Sequence, residues 1–320
     1  MKRGAILLAA AIAGCGERSG GSGKPDRPAD ESGDRSLIVF NAGSLAGPLR
    51  AALDSFARHN AVEVRQENAG SVEVARKLTE LHQIPDLVAV ADYEVIPRYL
   101  MPEYATWYAQ FARNRMVLAY TDRSRGAKEM SADSWWRILE RPGIEMGRAD
   151  PSLDPNGYRT LLSLQLAERH YKQPGLYAKV IAAAPARNVR PKEADLVSLL
   201  QLGELDYIWS YESIAQASGL RYVTLPPEID LSSAAESASY ATASVRVKGK
   251  TPMDSVTIRG APILYGLTVP TRAPHPAVAE RLAAFLLSAD GRRILRAAHL
   301  DAIEQPAILG TGAPASLTKH

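Results

Sequence analysis

Two short stretches, Asp154-Pro155-Asn156-Gly157-Tyr158-Arg159 and Arg190-Pro191-Lys192-Glu193-Ala194-Asp195-Leu196, each place a carboxylate at a predicted helix start. The amino-terminal half carries helix starts of a different chemistry. There Leu37-Ile38-Val39-Phe40 and Val62-Glu63-Val64-Arg65 read as strands running into Asn41-Ala42-Gly43-Ser44 and Asn68-Ala69-Gly70-Ser71, and each Gly-Ser pair opens a helix. Unpaired N–H groups at a helix start, with roughly +0.5 charge from the aligned peptide dipoles, form a seat for an anion, and a serine hydroxyl adds a donor. Carboxylates beside such a seat call for a special ligand. Each residue also has a plain reading. Asp154 before Pro155 suits a helix cap, Glu193 an exposed first helical turn, Ser44 and Ser71 N-caps, and Tyr211 a core position.

The elements that must position these residues alternate. After Ser71 comes an amphipathic run to Leu81, then an apolar strand, Asp86-Leu87-Val88-Ala89-Val90, ending at Ala91-Asp92-Tyr93. Met116–Tyr120 reads as a strand; helices are expected over 134–140, 158–171 and 193–202; Leu205–Trp209 is a strand meeting the helix that opens at Ser210-Tyr211-Glu212-Ser213. A hairpin is expected around Lys248-Gly249-Lys250, a returning strand over 262–269 and a closing helix over 276–287. Alternation of this kind predicts an α/β protein with mainly parallel sheets and a ligand at the carboxyl ends of strands. Two such lobes would hold it in the cleft between them.

Composition narrows the rest. Lys2 and Arg3 precede an apolar run, Ala5–Ala13, too short for the roughly 20 residues that span a bilayer, so residues 1–14 read as a signal peptide. Residues 16–35 are Gly, Ser, Pro and charge, the composition of a tether, and the fold is expected from Ser36. Cys15 is the only cysteine, which excludes a disulfide, a thiolate metal site and a cysteine nucleophile in the fold. The net charge is +3, falling to +1 without residues 1–14, and no basic stripe suits nucleic acid. Gly-x-Ser-x-Gly is absent and the six histidines never fall at metal-ligand spacing, so an enzyme is not expected.

Seven motifs in order, Phe40–Leu45, Gly70–Val72, Ala91–Pro97, Asp154–Arg159, Pro191–Glu193, Asp206-Tyr207 with Tyr211–Ser213, and Pro262–Gly266, resemble the periplasmic molybdate/tungstate-binding proteins of ABC importers. Ile12-Ala13-Gly14-Cys15 likewise resembles a bacterial lipobox, which implies cleavage before Cys15 and a lipid anchor on it. The family resemblance implies a class II periplasmic binding protein, with lobe 1 over 36–119 and 262–320, lobe 2 over 120–261, and crossings near 119–121 and 256–261. It implies an extracytoplasmic monomer that binds tungstate or molybdate, uses no cofactor, and delivers the ion to a permease. Gly43, Ser44 and Ser71 would hold oxyanion oxygens from lobe 1; the backbone N–H groups of Asn156 and Gly157, following Pro155, and the Tyr211 hydroxyl would do so from lobe 2. Asp154 and Glu193 match the two carboxylates that approach the metal itself and raise it from four to six oxygen neighbours. At position 156 the family often has Cys where this chain has Asn.

Such carboxylates would repel a buried dianion by several kcal/mol unless something positive lay between them. A hexavalent metal centre is positive and accepts further oxygens, whereas the sulfur of sulfate and the phosphorus of phosphate do not expand in this way. The same fold binding sulfate, thiosulfate or phosphate, or serving as a sensor domain, is the alternative.

Overall fold

The computed structural model describes residues 36–249 and 254–318; Cys15, the tether and the signal peptide lie outside the described residues. In chain order the elements begin with β1 (Ser36–Ala42), α1 (Ala46–Asn60), β2 (Glu63–Ala69), α2 (Ser71–Thr79), β3 (Leu87–Val90), β4 (Trp107–Arg113) and β5 (Met116–Tyr120). Next come α3 (Trp135–Leu139), β6 (Met146–Ala149), α4 (Pro155–His170), α5 (Leu176–Ala182), β7 (Val189–Arg190), α6 (Glu193–Leu202), β8 (Tyr207–Tyr211) and α7 (Glu212–Ala217). The chain closes with β9 (Arg221–Thr224), α8 (Ser237–Tyr240), β10 (Ser244–Lys248), β11 (Ser255–Arg259), β12 (Leu264–Thr268), α9 (Pro276–Leu287), α10 (Ala289–Ala297), β13 (Asp301–Gly310) and α11 (Ala315–Thr318).

The strands form one sheet in the order β13-β4-β12-β3-β1-β2, another in the order β7-β6-β8-β5-β9, and a β10–β11 hairpin. In the first sheet α1 supplies Leu49, Ala52, Leu53 and Phe56 at helical spacing to one face, and α2 supplies Val72, Ala75 and Leu78 to the other core. With both faces covered, β3 is buried along its whole length. The second sheet is built the same way around β5 and β8, both fully buried.

Both sheets are mixed rather than mainly parallel. β1 pairs in parallel with β2 and β3, and β6 pairs in parallel with β7 and β8, whereas β4, β12, β13, β5 and β9 join through antiparallel pairs. The physical reason is connectivity. β5 and β12 enter their sheets from the other sheet, without the helical crossover that a parallel neighbour requires. Strand pairing also moves the first crossing. Lobe 1 is expected to run to 119, yet Met116–Tyr120 pairs as a whole with β8 and β9 of the second sheet, so the chain passes over at Asn114-Arg115 instead of 119–121. The return passage runs from β11 to β12.

Candidate oxyanion site

Each site residue inferred from sequence sits at the carboxyl end of one of the two parallel triplets. β1 leads into Gly43 and Ser44, and β2 into Gly70 and Ser71. In the second sheet β6 leads to Asp154 at the start of α4, β7 to Glu193 at the start of α6, and β8 ends at Tyr211. These ends meet. The Val72 N–H donates to the Leu153 carbonyl at 3.1 Å, and a side-chain carbon added at Gly43 would lie 3.6 Å from Ala194 Cβ.

Three hydroxyls are arranged as donors. Ser44 Oγ accepts from the Tyr265 hydroxyl at 3.2 Å, Ser71 Oγ accepts from the Ala91 N–H at 3.0 Å, and the Tyr211 oxygen accepts from the Arg159 guanidinium at 2.7 Å. A hydroxyl whose oxygen already accepts has its single hydrogen left to give. Tyr265 is itself held by an N–H donated from Asn114 at 3.0 Å. Burial pushes the Tyr211 phenol well above its ordinary range, so it keeps that hydrogen.

The carboxylates lie beside them. Asp154 caps α4 by accepting the Asn156 N–H on Oδ1 at 2.9 Å, and it accepts the Glu193 N–H on Oδ2 at 3.0 Å, so one side chain serves two helix starts. The capping reading therefore holds, without using up the carboxylate, because each oxygen has a second lone-pair site. Glu193 is not the exposed residue its position in a first turn allowed: it is 1% exposed. Its Oε1 accepts from the Ser210 hydroxyl and from the Tyr211 N–H at 2.6 Å, while Oε2 has no hydrogen-bond partner. Burial, only partly offset by hydrogen bonds, raises Asp154 to about 6; burial and then the charge of Asp154 raise Glu193 to about 8.

Both carboxyls thus bind protons more tightly in the fold than in the unfolded chain, where they titrate near 3.8 and 4.5. Their contribution to stability is present below the unfolded values and is lost as pH rises through about 6 and then about 8. The ligand-free protein is expected to melt at a lower temperature at about pH 8.5 than at about pH 5.5. Glu193→Gln should flatten that slope in a thermal melt; an unaltered slope would show that other groups set it.

The two N–H groups expected to face an anion are engaged elsewhere. That of Asn156 goes to Asp154 Oδ1, and that of Gly157 goes to the Asp154 carbonyl at 3.0 Å, while Pro155 has none to give. Gly157 instead permits close packing: a Cβ there would lie 2.6 Å from the Ala149 carbonyl oxygen. Asn156 offers its side chain, fully buried with neither amide atom hydrogen-bonded. A buried amide left without partners costs about 1–3 kcal/mol per group, which marks it as a contact for something polar.

Sequence reasoning also left out Tyr265, Ser210, Asp92 and Arg159. Arg159 is 4% exposed, and among the described residues it is the one buried cation. Its signal in the sequence was a charge inside a motif otherwise read for its carboxylate. Beside this site lies a cavity of about 270 Å³ that shares Asp92, Tyr158 and Arg159 with it but is otherwise walled by Tyr93, Glu94, Arg98, Leu162 and residues 257–262. It touches neither Asp154 nor Glu193.

A family model described as bacterial extracellular solute-binding protein matches residues 37–301. The chain belongs to the bacterial extracellular solute-binding proteins. It is 42% identical to an uncharacterized solute-binding protein of Petrotoga mobilis, with 84% of each chain covered. It is 36% identical to a molybdate/tungstate-binding protein of Pyrococcus abyssi over 86% of each chain. To the molybdate/tungstate-binding protein of Thermococcus kodakarensis it is 35% identical, covering 95% of this chain and 91% of that one. Among solved structures, the periplasmic molybdate-binding protein of Azotobacter vinelandii superposes with a TM-score of 0.60 at 14% identity, covering 82% of this chain and 98% of that one. The sulfate-binding protein of Mycobacterium tuberculosis superposes with a TM-score of 0.59 at 16% identity, covering 88% and 89%. Two neighbours so close in score, named for different oxyanions, carry the fold and leave the choice of ligand to the site. The family is one of binding proteins rather than enzymes, and its members hold a ligand rather than a cofactor.

Proposed function

We propose that this solute-binding protein captures molybdate or tungstate between its two sheets and delivers the ion to an ABC importer. The observation that carries the reading is the free, buried Oε2 of Glu193 beside Asp154, in a site whose three hydroxyls are set to donate. Hydroxyl donors suit any tetrahedral oxyanion. Two carboxylates suit only an ion whose centre accepts more oxygen, and the names of the Pyrococcus and Thermococcus relatives agree with that choice. The lobes would then be 36–113 with 264–318, and 116–259, following the strand pairing.

Titration calorimetry on the mature domain is the test. Tungstate and molybdate are expected to bind with a dissociation constant of nanomolar order or tighter, about −12 kcal/mol, and sulfate at least several hundredfold more weakly. Comparable affinity for sulfate would overturn the reading. X-ray absorption of the tungstate complex should show six oxygen neighbours, four from the ion and one from each carboxylate; a plain four-oxygen shell would reduce Asp154 and Glu193 to structural roles.

We also propose that Cys15, preceded by Ile12-Ala13-Gly14, carries a lipid that anchors the protein outside the cytoplasm, with 16–35 as its tether and a monomer as the working unit. Cys15→Ser should move the protein from the membrane to the soluble fraction on cell fractionation. Retention in the membrane would point to another anchor.

A further inference from the structure

The Arg159 guanidinium ties the Tyr211 hydroxyl of the second sheet to the backbone that follows β3 of the first. Its Nη1 donates to the Tyr211 hydroxyl at 2.7 Å and to the Ala91 carbonyl at 2.7 Å, and its Nη2 lies 3.5 Å from Asp92 Oδ1. Ala91 follows β3 of the first sheet, and its own N–H donates to Ser71 Oγ. Tyr211 ends β8 of the second sheet. A continuous hydrogen-bonded path therefore runs from Ser71 through the Ala91 residue and Arg159 to Tyr211. The neighbouring Tyr158 hydroxyl donates to Asp92 Oδ2 across the same junction.

Arginine has donors and no acceptor, so whatever oxygen meets it must accept. A phenol that accepts from Arg159 turns its only hydrogen away from the guanidinium. With no guanidinium there, the direction of the Tyr211 hydrogen is no longer fixed by that bond. A tyrosine donating to a carboxylate presents its oxygen lone pairs to the anion, and these repel it. The Ala91 carbonyl and Asp92, two of the three partners of Arg159, belong to the first sheet side, whereas Tyr211 and Arg159 itself belong to the second.

We infer that Arg159 is a positioning residue that makes the Tyr211 hydroxyl an obligate donor to the bound oxyanion, and that its contacts with Ala91 and Asp92 tie this group to the first sheet where the sheets meet. The inference rests on the proposed oxyanion function. It assigns Arg159 no contact with the ion. The meeting of the sheets adds the Ala91 and Asp92 contacts to a guanidinium already set against Tyr211, so that closure and hydrogen bonding to the ion reinforce each other.

A double-mutant cycle with sodium molybdate, read by calorimetry, tests it. Tyr211→Phe alone should weaken molybdate binding about tenfold or more, the range for a hydrogen bond to a charged acceptor. Arg159→Met alone should weaken it at least as much. In the Arg159→Met background, Tyr211→Phe should cost less than about threefold further, since that phenol is no longer held as a donor. Thermal melts of the ligand-free variants separate this from general weakening, because a merely structural Arg159 lowers the melting temperature without removing the effect of Tyr211→Phe. If Arg159→Met folds poorly, Arg159→Gln, too short to bridge both oxygens, goes through the same cycle with the same expected coupling. A wild type that binds molybdate with additive losses in the cycle overturns this inference alone. A wild type that binds neither molybdate nor tungstate overturns the proposed function and this inference with it.

Discussion

Glu193→Ala should weaken molybdate and tungstate binding by about 100-fold or more, roughly 3 kcal/mol, while leaving sulfate binding unchanged or tighter. The sign for sulfate decides the matter. Glu193 contributes a buried oxygen with no protein partner, 1% exposed as a residue, and next to it stands Asp154. For an ion whose centre takes an extra oxygen, that atom is a bond lost. For sulfate it is a charge facing a dianion, and its removal relieves repulsion. Ser44→Ala and Ser71→Ala act on the other side of the balance. Each removes a hydrogen bond that any tetrahedral oxyanion accepts, about 1.5–3 kcal/mol with a charged partner, so all three anions should weaken together. Glu193→Ala also strips the Ser210 hydroxyl and the Tyr211 N–H of their acceptor, and Glu193→Gln, which keeps an oxygen there, controls for that loss. Competition calorimetry with the three anions reads all of these variants. Equal losses for molybdate and sulfate in Glu193→Ala would show that the side chain only shapes the site.

Gly70→Ala should weaken molybdate binding by a comparable factor without touching any group that meets the ion. Gly70 precedes α2, and a Cβ there would lie 2.3 Å from the Leu153 carbonyl oxygen and 2.8 Å from its carbon, both backbone atoms of the second sheet's side. Real side chains do not approach backbone so closely, and Ala fits the local dihedrals of φ −63° and ψ 146° without strain. The first-sheet side on its own therefore accepts the methyl group, and the clash arises only where the two sides meet. The Val72 N–H to Leu153 carbonyl bond is broken in the same movement. X-ray scattering with saturating molybdate should show a larger radius of gyration for Gly70→Ala than for the wild type, beside an unchanged melting temperature of the ligand-free protein. Wild-type compaction in the variant would show that the sheets tolerate a wider gap than the geometry implies.

Local sequence was a good guide wherever neighbours along the chain set the outcome. Glu193–Leu202, Met116–Tyr120 and Pro276–Leu287 form the expected elements with the expected limits, since apolar period, a proline in the first turn and a glycine after the last turn are short-range signals. β13 went unread. It is a ten-residue strand with mostly exposed side chains and Pro306 inside it, and its strand character comes from pairing with β4. The first crossing was misplaced for a similar reason. A buried strand looks the same whichever sheet receives it, and only the partners β8 and β9 assign Met116–Tyr120 to the second.

By itself the sequence determined the α/β alternation, the two Gly-Ser helix starts, the carboxylates Asp154 and Glu193 at two others, and the absence of cysteine chemistry in the fold. Those are properties of residue type and spacing. Tertiary structure alone decided which hydrogens are free. It buried Glu193 with one oxygen unpartnered, and gave Ser44, Ser71 and Tyr211 the protein donors that leave their own hydrogens available. It also turned Arg159, which reads along the chain as an ordinary helical arginine, into a buried bridge between Ala91 and Tyr211. The physical reason is that hydrogen-bond capacity and desolvation belong to atoms from segments 20 to 221 residues apart, and the chain has no local record of which of them will meet.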